Sequence, residues 1–187
     1  MFSLLRKMHK NNKQKKERRT PNPREQGDAV INTILAISII AIMGILSLKG
    51  YSYAMDKIRS GEAVTMIQQI AQGVQELFSN NRDFTGINTA TAIKSGVVHK
   101  SNVSGEKILS PWYSSDQNSV VTIKEGARPS QFIIEMDRIP AAACAKIGGA
   151  FLGEAAAVSA NGTASKTPVE LSTNCATANP AKLSVSF

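Results

Sequence analysis

Two cysteines, Cys144 and Cys175, are the side chains of this 187-residue sequence whose type and spacing support a defined chemistry. They are the only cysteines, and they lie 31 positions apart. In an oxidising compartment such a pair forms a disulfide, and closing a loop of about 32 residues stabilises a fold by roughly 3–4 kcal/mol on the chain-entropy account. A redox site would need a Cys-x-x-Cys pair, and a metal site would need histidine partners that the sequence lacks beyond residue 27, apart from His99.

Other side chains that could do chemistry have simpler structural interpretations. His99 has no serine in a nucleophile-elbow glycine pattern to activate, so it is expected at a surface or turn. Glu135 and Asp137 would share one face of a strand and could act as an acid/base pair, although such pairs usually form a solvated strand face. Trp112 is expected to pack where a loop enters the sheet. The sequence therefore predicts no enzyme, no metal site and no cofactor.

The elements that position these residues are predicted from hydrophobic periodicity. Residues 140–147 form a predicted short helix with Pro at its start and Gly148-Gly149 at its end. A loop region is expected at about 80–109, and Asn161-Gly162 marks a turn. Alternating or β-rich runs predict strands at 119–124, 131–137 and 182–187, with a weaker strand at 155–159.

A long helix is predicted before these strands. One helical stripe contains Val64, Ile67, Ile70, Ala71, Val74, Leu77 and Phe78. No proline lies between Pro23 and Pro111, so a single helix is expected from about Ala29 to about Phe78. The predicted fold class is α+β: a long N-terminal helix, apolar in its first half and amphipathic in its second, packed against a small, mainly antiparallel sheet.

The positive charge is concentrated at the start of the chain. The formal net charge is +8, of which residues 1–27 carry +7 and residues 28–187 carry +1. Residues 29–48 contain no charged side chain, and 20 residues of helix span about 30 Å, the thickness of the hydrocarbon layer. We therefore expect a membrane-spanning helix with the basic leader in the cytoplasm and residues 50–187 outside, where a disulfide persists. Topology explains the basic run, so no nucleic-acid partner is expected.

The junction between leader and helix carries a family resemblance. A basic leader ends in Glu25-Gln26-Gly27 and is followed at once by the apolar run, an amphipathic continuation and a late cysteine pair. This order resembles type IV pilins of the b class, the toxin-coregulated, bundle-forming and conjugative thin-pilus subunits. Ser110-Pro-Trp-Tyr113 resembles the family's junction before the sheet. The strand with the Pro-x-x-x-Cys helix that ends at Cys144, and the closing strand 183–187 after Cys175, resemble its C-terminal half.

The resemblance implies a processed, self-assembling subunit. A prepilin peptidase would cut after Gly27 and leave Asp28 as the first mature residue. The mature subunit would leave the bacterial inner membrane for an extracellular homopolymeric filament, assembled by a platform and an ATPase, that acts in attachment, aggregation or conjugative mating. The implied segments are a leader at 1–27, an assembly helix half at 28–49, an amphipathic half at 50–80 and a periplasmic head at 81–187.

One position departs from the family pattern. The family usually has glutamate at the fifth mature position, where it neutralises the N-terminal ammonium of a neighbouring subunit, whereas this sequence has Asn32. Our hypothesis is that Asp28 balances that charge. A minor pilin, a type II secretion pseudopilin and an uncleaved single-pass membrane protein with a periplasmic binding domain remain alternatives. So does a secretory protein cut after Ser52-Tyr53-Ala54 to start at Met55.

Overall fold

The structure, a computed structural model, describes residues 23–80 and 83–187, with side chains described in 33–44, 53–80 and 83–187. The chain divides into one unit that ends at Gly50 and a second unit, Tyr51–Phe187. Most of the predicted leader, residues 1–22, lies outside the described residues. The helices are α1 (Pro23–Leu77), α2 (Thr89–Lys94), α3 (Ala141–Phe151) and α4 (Pro168–Ala176), and the strands are β1 (Val103–Ser104), β2 (Lys107–Leu109), β3 (Val120–Glu125), β4 (Phe132–Ile139), β5 (Ala157–Ala160), β6 (Thr163–Ser165) and β7 (Ala181–Ser186).

Helix α1 is the predicted long helix, and it begins six residues before the predicted start. Its second half buries a stripe against the sheet: Ala63, Met66, Ile67, Ile70, Ala71 and Val74. In the predicted stripe, Val64 and Phe78 are partly buried and pack against the core, whereas Leu77 is 46% exposed and was predicted wrongly. Gly73 permits close packing here, because an added Cβ would lie 2.8 Å from the Val97 side chain.

A seven-stranded antiparallel sheet has the strand order β1-β2-β3-β4-β7-β5-β6, and its inner face forms much of the described core. The final strand lies in the middle, between β4 and β5. Alternate residues point inward, as period-2 patterning requires. The buried apolar members are Ile108, Val121, Ile123, Phe132, Ile134, Met136, Ile139, Val158, Ala160, Ala181, Leu183 and Val185. The predicted strands at 119–124, 131–137, 155–159 and 182–187 are thus confirmed within one or two residues.

A bulge near the end of β4 keeps the strand's alternation facing the core. The register shifts between Met136 and Ile139, and Arg138 adopts φ 55°. The extra residue returns Ile139 to the buried face, where it is fully buried. The Arg138 Nε atom lies 2.5 Å from an Asp116 carboxylate oxygen, so this outward residue is paired with the loop between β2 and β3.

The predicted loop at 80–109 contains more structure than expected. Asn88 caps α2 by accepting a hydrogen bond from the Thr91 N–H. Strands β1 and β2 form a short hairpin at the sheet edge. These elements have two to six residues, too few to establish a periodicity, so the sequence prediction missed them.

The end of the predicted helix at 140–147 was also wrong. Helix α3 continues through Gly148 and Gly149 to Phe151. An added Cβ at Gly148 would lie 2.8 Å from Leu171 and 2.9 Å from Leu183, so this glycine lets α3 approach α4 and β7. A glycine pair that resembled a helix stop serves, at its first position, as a close-packing site.

Within the residues that the structure describes, no helix is long and apolar enough to cross a membrane. The predicted membrane-spanning segment at 29–48 is therefore not supported. The side chains of 29–32 and 45–48, at the two ends of that segment, lie outside the described ones.

Candidate functional site

The described apolar part of α1, residues 33–44, is exposed on every side. Exposed fractions run from 47% to 70% for Ile34, Leu35, Ile37, Ile39, Ile40, Ile42 and Met43. The Ser38 hydroxyl donates to the Ile34 carbonyl oxygen at 2.8 Å, so the polar group is satisfied within its own helix. A helix that is apolar all round is stable only when another apolar body covers it. This segment is therefore the strongest candidate for a contact surface.

Three of the predicted site residues lie near the start of α1. Gly27, Asp28 and Asn32 all have helical backbone. The side chains of Asp28 and Asn32 are outside the described set, so their proposed roles at the cleavage and charge site stay predictions.

The disulfide between Cys144 and Cys175 is present and joins α3 to α4. The two Cα atoms are 5.9 Å apart, and both cysteines are fully buried. Helix α4 itself was missed by the sequence prediction, although its start is marked. Thr167 accepts from the Glu170 N–H while a Glu170 carboxylate oxygen accepts from the Lys166 N–H, with Pro168 in the first turn.

Asn161 connects three elements of this C-terminal region. Its amide nitrogen donates to the Asn174 carbonyl oxygen at 2.8 Å and to the Thr177 hydroxyl at 3.0 Å. Its amide oxygen accepts from the Lys182 N–H at 2.8 Å. With Gly162 it makes the turn between β5 and β6, and both residues have positive φ. The sequence indicated the turn, whereas the side chain's role needed the fold.

The predicted carboxylate pair lies on the outer face of the sheet among lysines. A Glu135 carboxylate oxygen accepts from Lys124 at 2.6 Å and from Lys182 at 2.9 Å, and Lys182 is also 3.6 Å from Asp137. Partial burial raises the pKa of Glu135, but the hydrogen bonds from Lys124 and Lys182 outweigh it and leave the pKa below its usual value. The hydrogen bond with Glu135 in turn raises the pKa of Lys182. This arrangement holds adjacent strands together and offers no free acid or base.

The second half of α1 is hydrogen-bonded to the loop that precedes β3. Trp112 is 3% exposed, as expected for a residue packed at the entrance to the sheet, and its indole N–H donates to Asp56 at 3.3 Å. The Arg59 guanidinium donates to the hydroxyls of Ser115 at 3.0 Å and Ser114 at 3.4 Å. Neither partner on the helix could be predicted from the sequence.

The remaining predicted chemical residue, His99, is an exposed turn residue. Its Nδ1 atom is 2.8 Å from the Ser101 hydroxyl at the start of a short 3₁₀ turn. Among the residues that the structure describes, no three potential metal ligands come together. The polar side chains described above thus hold elements of the fold together, and the exposed segment 33–44 remains the candidate contact surface.

A long helix with an uncovered apolar segment, in one chain with a disulfide-bonded α+β head, defines the type IV pilin class of structural subunit. A family model described as Bundlin matches residues 52–184, well over half of the chain. The chain belongs to the Bundlin family. Membership points to a structural protein rather than an enzyme, one whose family self-assembles into extracellular filaments.

A solved structure has a similar fold. A type IVb pilin from Salmonella typhi is 17% identical, with a TM-score of 0.52 over 67% of this chain and 97% of that chain. TcpA, a type IV pilin from Vibrio cholerae El Tor biotype, is 10% identical, with a TM-score of 0.46 over 69% of this chain and 98% of that chain. No protein with a curated description matches this chain.

Proposed function

We propose that this chain is the precursor of a structural subunit of a type IVb pilus. A prepilin peptidase cuts it after Gly27, and the mature subunit polymerises with copies of itself into a filament for attachment, aggregation or conjugative mating. The observation that carries the proposal is the exposed apolar segment at 33–44 in a chain whose head already has a buried core.

The distribution of apolar side chains around this segment indicates what kind of partner covers it. Its large side chains face every direction, so one flat partner surface would leave part of the helix in water. A bundle of like helices, contributed by other subunits, encloses a helix from all sides. Dispersion contacts and small residues then hold the bundle together, as in membrane helix packing.

Before assembly, we propose that the apolar run holds the precursor at the bacterial inner membrane. The absence of charge in residues 29–48 and the +7 leader support this step. A cytoplasmic ATPase and an inner-membrane platform then move subunits into the filament. The intact mass of the protein extracted from the native cell tests the scheme: a first residue of Asp28 is expected, Met55 would indicate conventional secretion, and Met1 an uncleaved anchor.

Asp28 is proposed to balance the new N-terminal ammonium inside the helix bundle, because Asn32 has no charge to offer. An unpaired ammonium in such a core costs several kcal/mol. Asp28→Asn should therefore abolish filaments while the mass still shows cleavage after Gly27. Asn32→Ala, which removes a polar side chain at the other position, is the control and should retain filaments. Normal filaments from Asp28→Asn would refute the charge argument and leave the pilin assignment intact.

Filament length separates the remaining alternatives within the class. Long homopolymeric pili after expression of this chain with its assembly machinery are expected for a major subunit. Short pseudopili would indicate a secretion pseudopilin. Filaments that contain the chain only as a trace component would indicate a minor pilin.

A further inference from the structure

A cleft in the second unit lies between α1 and the start of α3. It encloses about 330 Å³ and is lined by Tyr53, Asp56, Lys57 and Ser60 on α1 and by Ala142, Ala143 and Lys146 on α3. The Lys146 ammonium donates to the Lys57 carbonyl oxygen at 3.4 Å, which brings the two basic residues together across the cleft. Both lysine side chains are exposed.

The charge of this cleft is positive on balance, because its lining holds two lysines and one carboxylate. Lys57 and Lys146 form no ion pair with any residue that the structure describes. Asp56 is the one carboxylate in the lining, and it accepts the indole N–H of Trp112. The first turn of α3 contains no acidic residue. Acidic groups of a partner are the natural complement.

Tyr53 and the position of the cleft in the sequence indicate which partner. Tyr53 is 75% exposed, and Lys57 follows the uncharged run 29–48 by nine residues. Exposed tyrosine and lysine shortly after an apolar segment are typical of the membrane–water interface, where the ring lies among headgroups and the ammonium reaches phosphate oxygens. Basic side chains near an anionic membrane surface are attracted to its headgroups.

We propose that this cleft, formed by Tyr53, Lys57 and Lys146, binds the headgroup of an anionic phospholipid and holds the head at the membrane surface before assembly. This inference rests on the proposed membrane-held precursor. When the subunit enters a filament, the headgroup contact is broken and the lysines are released to solvent or to neighbouring subunits.

The test uses the full chain reconstituted in lipid nanodiscs. Both native cysteines are in the buried disulfide, so Ala150→Cys, an exposed position on α3 one turn after Lys146 and outside the cleft lining, can carry a single environment-sensitive dye. The dye should report a less polar surrounding in nanodiscs with 30 mol% phosphatidylglycerol than in pure phosphatidylcholine. Each basic side chain at an anionic surface contributes about fivefold to binding. Lys57→Gln with Lys146→Gln should therefore lower the equilibrium constant for docking of the head on the anionic surface by about 30-fold.

A matched control removes the same charge elsewhere. Lys100→Gln with Lys107→Gln changes two exposed lysines outside the cleft and should leave the response to phosphatidylglycerol within about twofold. An equal loss in the control, or an equal dye signal in both lipids, would overturn the headgroup proposal. Inorganic phosphate that reproduces the signal in neutral nanodiscs would overturn it too, since the cleft would then be a general anion site.

Failure of the wider scheme gives a different result. A chain that does not enter nanodiscs of either composition would overturn the membrane-held precursor and the headgroup site together. A cleft variant that keeps the lipid response but loses filaments would show that the lysines meet an acidic face of a second copy, against this proposal. A variant that loses the lipid response and is still cleaved after Gly27 supports it.

Discussion

Replacing Asn161 should weaken the head by removing three hydrogen bonds at once. Asn161→Gly keeps the positive φ of the turn and loses all three side-chain bonds, to Asn174, Thr177 and Lys182. Each bond contributes about 1 kcal/mol net, and the Asn174 carbonyl oxygen keeps the Thr177 hydroxyl donor at 2.7 Å. The free energy of unfolding should therefore fall by about 2–3 kcal/mol.

Asn161→Ala distinguishes the contribution of the left-handed backbone from that of the side-chain hydrogen bonds. Alanine loses the same bonds and must also hold a left-handed conformation, which asparagine and glycine tolerate better. We expect a further loss of about 1 kcal/mol relative to the glycine variant. The order of stability should be wild type, then Asn161→Gly, then Asn161→Ala.

Asn161→Asp adds a dependence on pH. Its carboxylate still accepts from the Lys182 N–H, but it cannot donate to the Asn174 carbonyl oxygen, which it would face at hydrogen-bond distance. Ionisation makes that contact repulsive. The unfolding midpoint of this variant should fall as the pH rises from about 3 to about 6, through the titration range of aspartate, by more than the wild-type midpoint changes.

The assay is urea unfolding of the full chain in mild detergent, followed by tryptophan fluorescence. Trp112 is the only tryptophan and is 3% exposed, so its emission reports unfolding of the head. Shifts in midpoint at constant slope give the change in stability. If all three variants unfold within 0.5 kcal/mol of wild type, or if alanine is as stable as glycine, the role assigned to Asn161 is wrong.

Three further perturbations test the same head with the same assay. Gly149→Ala should stabilise the head by about 0.5–1 kcal/mol, because an added Cβ there meets nothing within 4 Å. Gly148→Ala should be about 1–3 kcal/mol less stable than Gly149→Ala, because its Cβ would meet two buried leucines. Equal unfolding midpoints for the two variants would contradict this packing. Cys175→Ser should cost about 3–4 kcal/mol through the lost 32-residue loop closure, and a midpoint unchanged from the oxidised wild type would refute it. Because the pKa of Glu135 is lowered in the folded state, this residue contributes stability that is complete above its ordinary pKa of 4.5 and is lost as the pH falls through the lower folded pKa. Glu135→Gln should therefore reduce the dependence of the unfolding free energy on pH below about pH 5. An unchanged dependence on pH would argue against the lysine contacts.

The parts of the head that were predicted correctly have long, periodic elements. Strands β3, β4 and β7 have six to eight residues, enough for alternation to identify their buried face. The cysteine pair could also be predicted, because a chain with two cysteines has one possible intramolecular pairing. The two-residue and three-residue strands β1 and β2 carry no such pattern and were missed.

Errors arose where tertiary packing decided a local choice. Gly148 had the composition of a helix end, but its contact with Leu171 and Leu183 made it an interior residue of α3. The start of α4 is an error of another kind, because Thr167 and Glu170 form a capping arrangement that is detectable in the local sequence and was missed. The helix partners of the 110–116 loop, Asp56 and Arg59, depended on contacts about 55 positions apart in sequence.

Burial gives the two described stretches of α1 different meanings, although both are rich in apolar residues. Between Ala63 and Val74 the apolar residues recur at helical spacing and are buried by the chain's own sheet. Folding of a single subunit is therefore enough to explain why this stripe is apolar. Residues 33–44 are apolar at nearly every position, and no described part of the chain covers them. Folding of a single subunit cannot account for a sequence of that kind, because exposed isoleucine and leucine gain nothing from it. The free energy that selects these side chains must come from contact with another apolar body, so the segment acts as a contact surface and adds nothing to the stability of the head.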